Sequence, residues 1–517
     1  MTVADREAPG APPARRGGSG PVARSGPLVD PGAELEARLA ALVALAVSHG
    51  ATERPMLASA TVAAPSVDPI ALFEAARALG LPARCWIQGS ARLAFVAIDE
   101  AWAVEPTGSD RFSATAAAWE ALVAGACVDD ASGPTRGTGP LLVGGFAFDE
   151  GGGRDETWTG FGAGSLVLPR LLWTEADGVA WLTANDVAGA PSSDGPGRLW
   201  ARMLDAVGTG SPDAGMAGGR AGAAAGSSDA GTASGSGDPP MLSIVGGMPS
   251  EETWRTVAGR FAGAVGRGRV DKVVLARRVD LEADRAVDVA ATLRRLVASA
   301  AESTVFAIAR GDAVFLGATP ERLVRTAGRD ATTAAIAGSA PRGADVSEDD
   351  ALAAGLLASE KEREEHAVVV RMLRDSLAPL CDALEIAPSP RVIRLRTVQH
   401  LCTDFTARLS DRSGILSLVG VLHPTPAVGG QPRGTALDLI RDQEGIDRGW
   451  YAAPLGWVDR DGDGEFVVAL RSGVVRGHRA ALFAGCGIVA DSDPGREWDE
   501  SRMKLRALGM ALGRVEL

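Results

Sequence analysis

Residues 208 to 240 read GTGSPDAGMAGGRAGAAAGSSDAGTASGSGDPP, almost wholly Gly, Ala, Ser and Asp. Side chains this small and polar cannot bury enough apolar surface to offset the entropy of ordering the chain, so 207–240 reads as a flexible insertion. Whatever the chain folds into must tolerate a long break near its middle. Residues 1–32, rich in Pro, Gly, Ala and Arg without periodicity, read as a disordered tail by the same reasoning. What remains is 33–206 and 241–517, and at 46% hydrophobic residues the two stretches hold ample material for a large core.

Both stretches mix helix and strand signals. Ala33 to His49 carries apolar residues at helical spacing. Leu141 to Asp149, Val305 to Arg325 around a Gly311-Asp312 turn and a break at Thr319-Pro320, 465–472 and 479–486 read as strands. Ser359 to Leu384 reads as one long helix with Ser359 as N-cap, and a last helix begins near Pro494.

Several function classes fall away early. A net charge of −13 repels phosphate backbones, so no nucleic-acid partner is expected. The longest apolar run, Leu39 to Val47, is too short to span a bilayer, and the N-terminus lacks the apolar core of a secretion signal. The five cysteines are scattered, without a C-x-x-C pair, which argues against a disulfide framework or a structural zinc site. A cytoplasmic location is the expectation.

Of 52 basic residues only Lys272, Lys361 and Lys504 are lysine. Arginine stays protonated in proteins, whereas an ammonium can be pushed toward neutrality and act as a base. A lysine needed for proton transfer therefore resists the exchange that a surface charge tolerates. Chance survival accounts for any single one equally well. Tyr451 is the only tyrosine.

The long helix carries Glu362 and Glu365, three apart on one face, and the last helix repeats the device with Glu497 and Glu500, followed by Lys504. If the two helices face one another, four carboxylates enter one cleft, which calls for a cation; an all-oxygen site suits magnesium. The same spacings also fit solvated helix faces, with Glu500 and Lys504 as an ordinary surface pair. Asp459, Asp461, Asp463 and Gly464 open like an EF-hand loop, but position twelve is Leu470, so a hairpin turn is expected. Gly485-Cys486-Gly487-Ile488-Val489-Ala490 matches G-x-G-x-x-A, yet Pro494 breaks the next segment and no acidic residue lies about twenty positions on. The glycines still allow a ligand close to the backbone. His366, His400 and His423 lack metal-ligand spacing, and Arg471 reads either as a strand-end charge or as a carboxylate clamp.

Nine blocks occur in an order that resembles the chorismate-utilising enzymes, the group of anthranilate, aminodeoxychorismate, isochorismate and salicylate synthases. They are DKVVLARR (271–278), FLGATPERLVR (315–325), AIAGSAPRG (335–343), SEKEREEH (359–366), TVQHLCTDF (397–405), HPTPAVGG (423–430), FVVALRSG (466–473), FAGCGIV (483–489) and REWDESRMKL (496–505). GGFAFD (144–149) extends the resemblance into the first stretch. The resemblance implies an α+β fold: one large domain of two packed antiparallel sheets with outer helices and an active site between the sheets.

It also implies roles. Glu365 and Glu500 match the magnesium ligands, with Glu362 and Glu497 supporting them. His400, Tyr451, Arg471, Lys504 and the backbone of Gly485 and Gly487 match the groups that hold the chorismate carboxylates. Lys272 stands where isochorismate and salicylate synthases have a water-activating lysine, and Glu321 matches the proton donor to the departing hydroxyl. Ala337 replaces the nucleophilic lysine of aminodeoxychorismate synthases. The expected activity is isochorismate synthesis, with salicylate synthase or a non-catalytic binding member as alternatives. No glutaminase subunit is expected when water is the nucleophile, and a monomer or homodimer both fit. The product would feed menaquinone, toward which the sequence reading leans, or a siderophore.

Overall fold

The computed structural model describes residues 30–48, 55–133, 135–188, 195–209, 238–395, 398–411 and 413–515. The expected tail and insertion fall almost entirely outside the described residues. Among these, no helix is long and apolar enough to cross a membrane.

Two large sheets, one of thirteen strands and one of ten, pack face to face. Their strand pairs are antiparallel apart from the parallel pair Met56–Ala63 and Cys127–Asp130. The two sequence stretches are woven together twice. In the larger sheet Thr304–Arg310 pairs with Ala83–Gln88, and in the smaller Pro454–Asp459 pairs with Leu141–Phe146. Neither stretch therefore closes a sheet alone.

Side chains from both inner faces form the central core, with Phe306 and Phe315 on one side and Phe146, Trp457 and Phe466 on the other, all buried. Each such ring contributes about 1.5–3 kcal/mol by leaving water. A second core lies on the outer face of the larger sheet, where Leu35 and Leu39 of helix Pro31–Ser48, Phe73 of Pro69–Ala78, Trp200 of Pro196–Thr209 and Leu505 and Leu508 of Pro494–Leu512 cover it. The result is the α+β sandwich with outer helices that the sequence blocks imply.

Two elements differ from the sequence reading. The helix expected over 359–384 runs only Glu360–Leu377. Pro379, in the short turn Ala378–Leu380, cannot donate to a continuing helix, and Cys381–Ile386 instead forms an edge strand against Val398–Leu409. The run at 465–472 is two strands. Gly464–Val468 belongs to the smaller sheet and Ser472–Arg476 to the larger, so the chain changes sheet between them. At that crossing Arg471 has a left-handed φ of 52°. The hairpin expected at 459–464 forms, with Asp459 accepting the N–H groups of Asp461 and Asp463.

Candidate active site

A cavity between the sheets collects most of the chemistry. Strand Lys272–Ala283 pairs with Arg479–Ile488 so that Val274 faces Gly487 and Ala276 faces Gly485. Lys272 opens the first strand, is 2% exposed, and donates from Nζ to Glu365 Oε1 at 2.7 Å. Gly487 has a reason to be glycine: a Cβ there would sit 2.5 Å from Lys272 Cε and 2.9 Å from Glu365 Oε1. The dinucleotide-like G-x-G thus lies inside an antiparallel strand, not in a strand-to-helix turn, and its glycines make room for the lysine.

Two helices bring the carboxylates. Ser359 caps the first by accepting the Glu362 N–H, and Asp493 caps the last by accepting the N–H groups of Gly495 and Arg496. Their first two turns put Glu362, Glu365, Glu497 and Glu500 into the lining of the same cavity. Burial raises Glu497 to about 7, with the neighbouring Glu500 adding to it. Burial also raises Glu362, although the Ser339 N–H at 2.9 Å works against it. Burial would likewise raise Glu500, but Lys504 at 2.8 Å overrides it and the group falls below its ordinary value. The same pair holds Lys504 well above its ordinary range despite burial. Burial is the main cause of the raised carboxyl groups in this wall, with their mutual repulsion adding to it. A hard divalent cation fits such a set of oxygen donors, and Glu362, Glu365, Glu497 and Glu500 are the residues that could hold it.

The opposite wall is built where the chain passes between sheets. Glu321 lies between Ala313–Thr319 of the larger sheet and Arg322–Ala327 of the smaller. It is 6% exposed, and burial lifts its carboxyl to about 7, with Lys272 and Lys504 pulling the other way. Arg471 stands at the neighbouring crossing; burial lowers its pKa, and it has no carboxylate partner among the described residues. Its Nη2 lies 3.4 Å from His400 Nε2. His400 sits opposite Ser339 across a β-bulge at Gly338, with Nδ1 3.2 Å from Gly338 O. Burial, then Arg471, lowers its pKa to about 3, so the ring is neutral. Nε2 therefore accepts from the guanidinium and Nδ1 donates. Tyr451 stacks on Phe483 at 5.4 Å, and burial raises its phenol to about 12. Lys504 also donates to Gly485 O at 2.9 Å.

All twelve residues to which the resemblance gives a role line this one cavity. His366 and His423 do not; they are buried donors or acceptors, to Thr403 and to Phe148 O. Sequence reasoning missed Ser339, whose backbone holds Glu362, and gave Lys361, 3.8 Å from Glu362, no role beyond its place in the lysine count. It also missed Cys486, whose Sγ lies with ligand atoms of Glu497 and Glu500 inside 4.8 Å. The G-S-A-P block gives no charge signal that could have flagged Ser339, and a cysteine between two glycines has no metal-ligand spacing to Glu497 or Glu500.

A cavity that opposes a carboxylate cluster to an unpaired arginine suits a small acid bearing more than one carboxylate, and comparison with known proteins agrees. The sequence model described as "Chorismate binding enzyme" matches residues 42–209 and 229–513. A Pseudomonas aeruginosa protein named salicylate biosynthesis isochorismate synthase is 38% identical over 472 residues, covering 90% of this chain and 92% of its own. The Bacillus subtilis isochorismate synthase MenF is 34% identical over 376 residues, 72% of this chain and 75% of that one. In fold, the chain is similar to the menaquinone-specific isochorismate synthase MenF from Escherichia coli, with a TM-score of 0.68, 24% identity and coverage of 92% and 100%. It is also similar to anthranilate synthase component I from Streptococcus pneumoniae, at 0.63, 19%, 81% and 92%. Matched along nearly its whole length, this chain belongs to the family of chorismate-binding enzymes.

Proposed function

We propose that the protein is an isochorismate synthase that isomerises chorismate. Lys272 takes a proton from water as the water attacks C2 of the ring. The ring double bonds shift, and Glu321 delivers its proton to the C4 hydroxyl, which leaves as water. One water is consumed and one released, so the product is an isomer. Water is a poor nucleophile and hydroxide a poor leaving group, so base and acid must act at opposite ends of the ring.

The observation that carries the reading is the pairing of functions in one wall-to-wall cavity. Lys272 is buried at the start of its strand, and Glu321, buried and protonated up to about pH 7, lines the same cavity from the crossing between the sheets. Arg471 and Tyr451 supply the donors for a carboxylate, with the neutral His400 accepting from the guanidinium and holding it in place; Gly485 and Gly487 let the ring approach the sheet. Glu362, Glu365, Glu497 and Glu500 would hold magnesium. When bound, the ion would neutralise a substrate carboxylate and fix the ring's orientation. A relative that covers 90% of the chain is named for salicylate biosynthesis, which inclines the product toward a salicylate route more than the menaquinone route favoured from sequence.

Purified protein mixed with chorismate and magnesium near neutral pH, followed by HPLC, tests the reading. A chorismate–isochorismate mixture without pyruvate supports it. Salicylate with stoichiometric pyruvate would make the protein a salicylate synthase instead. Bound chorismate without turnover would leave a binding protein.

A further inference from the structure

Two further cavities abut the active site, and they meet it at side chains of opposite charge. The first, about 510 Å³, shares Pro320 and Arg471 with the site. The second, about 480 Å³, shares Ser339 and Glu500. We propose that the first is the vestibule through which a dicarboxylate reaches the active site, an inference that rests on the isochorismate synthase reading.

The vestibule is lined by Arg295, Arg342, Arg394 and Arg471 against a single acid, Glu302. Arg342 and Arg394 share their charge with Asp349 and Asp350. Arg295 does not: it donates from Nε to Ala511 O at 2.6 Å and has no ion pair among the described residues. Arg471 has none either, and it lines both cavities. An anion in the vestibule therefore meets a cation at the threshold and can pass to the same group within the site.

The other cavity offers the reverse. It contains Arg496, Arg502 and Arg506, but at its threshold stands Glu500, backed by Glu362, Glu365 and Glu497. Without magnesium on those carboxylates a doubly charged anion meets like charge there, whereas the cation at Arg471 is present with or without the ion. On a chain of net charge −13 the long-range field also repels anions, so a local positive approach governs how fast such a substrate arrives.

Two methionines on the last helix make the test. Met510 is 48% exposed and lines the vestibule; Met503 lines the other cavity. Met510→Glu and Met510→Lys place opposite charges at one mouth, and Met503→Glu and Met503→Lys do so at the other. The measurement is the association rate of chorismate, followed by stopped-flow tryptophan fluorescence at low and high salt. At low salt, Met510→Glu should slow association and Met510→Lys should speed it, each by about threefold, with both converging on the unmodified rate near 0.5 M salt. The Met503 pair should differ less. A sign effect at 503 larger than at 510, or none at 510, overturns the vestibule. Absence of turnover in the unmodified protein would instead overturn the proposed activity, and the association rates would still decide the route.

Discussion

Replacing Glu321 by glutamine should stop the reaction and, in alkaline solution, stabilise the protein. Glu321 is 6% exposed, and burial holds its carboxyl near 7 against an ordinary 4.5, even with Lys272 and Lys504 opposing. In the unfolded chain the group ionises above about 4.5, in the folded protein only above about 7. Between those values unfolding releases a proton, so rising pH favours unfolding. The cost is absent below the lower value and complete above the higher one. At 1.36 kcal/mol per pH unit the complete cost is about 3 kcal/mol, of which about 2 kcal/mol accrues between pH 5.5 and 8.5. Glutamine keeps the shape and removes the charge. For a chain of this length the difference corresponds to about 2 °C in Tm. Scanning calorimetry should therefore show Glu321→Gln gaining about 2 °C more over the unmodified protein at pH 8.5 than at pH 5.5. Turnover, followed by HPLC, should fall by about 10²- to 10⁴-fold, the usual worth of a positioned acid. An equal Tm difference at both pH values would refute the buried, high-pKa carboxyl. Near-normal turnover would refute its role as the acid.

Other expectations can be checked alongside. In the unmodified protein turnover should decline as pH rises past about 7, because Glu321 loses the proton it must deliver; a rate that stays flat into alkaline solution counts against it. Lys272→Arg should be as inactive as Lys272→Ala while circular dichroism shows both folded, since arginine cannot give up its proton; activity in the arginine variant would remove Lys272 as the base. Gly487→Ala should cost at least about tenfold in kcat with little change in Tm, because the added methyl displaces the ends of the Lys272 and Glu365 side chains and not backbone. Chelation should abolish turnover, magnesium should restore it, and Glu500→Gln should raise the magnesium needed; turnover indifferent to chelator would sink the metal assignment.

The sequence showed the site more clearly than the path of the chain that builds it. Helical spacing alone put Glu362 with Glu365 and Glu497 with Glu500, because one helix needs no partner to define its faces. Whether the two helices faced each other was undecidable from spacing; the ordered family blocks carried that step. The lysine count was informative for a physical reason: Lys272 and Lys504 both line the cavity, and Lys361 lies at its rim beside Glu362. What stayed hidden depends on tertiary context. The helix read to Leu384 stops at Leu377 because Pro379 and the edge of the smaller sheet compete for the segment. Ser339 matters through its backbone N–H, which no side-chain pattern reports.

The crossings at Pro320-Glu321 and Leu470-Arg471 explain why acid and clamp are both legible as residues and illegible as places. Each lies between two strands; the break at Thr319-Pro320 marks the first in the sequence, but a single strand reading over 465–472 runs straight through the second. In the fold the strands before and after belong to different sheets, and the crossings are tied together. Val468 donates its N–H to Glu321 O at 3.0 Å, Thr319 Oγ1 donates to Val468 O at 2.5 Å, and Ala318 N donates to Arg471 O at 3.4 Å. A residue on such a crossing is held from both ends by sheet hydrogen bonds, which fixes it more tightly than a surface loop could. It also lines the cavity that the strand residue Lys272 and the helical glutamates line. The left-handed φ of 52° at Arg471 comes from the same constraint. The turn must redirect the chain within a residue or two, and the strain is tolerated because both flanking strands are pinned. Substituting glycine at 471 would therefore relieve the backbone while removing the guanidinium, so a stable protein with impaired chorismate binding is the outcome that separates the residue's functional worth from its structural cost.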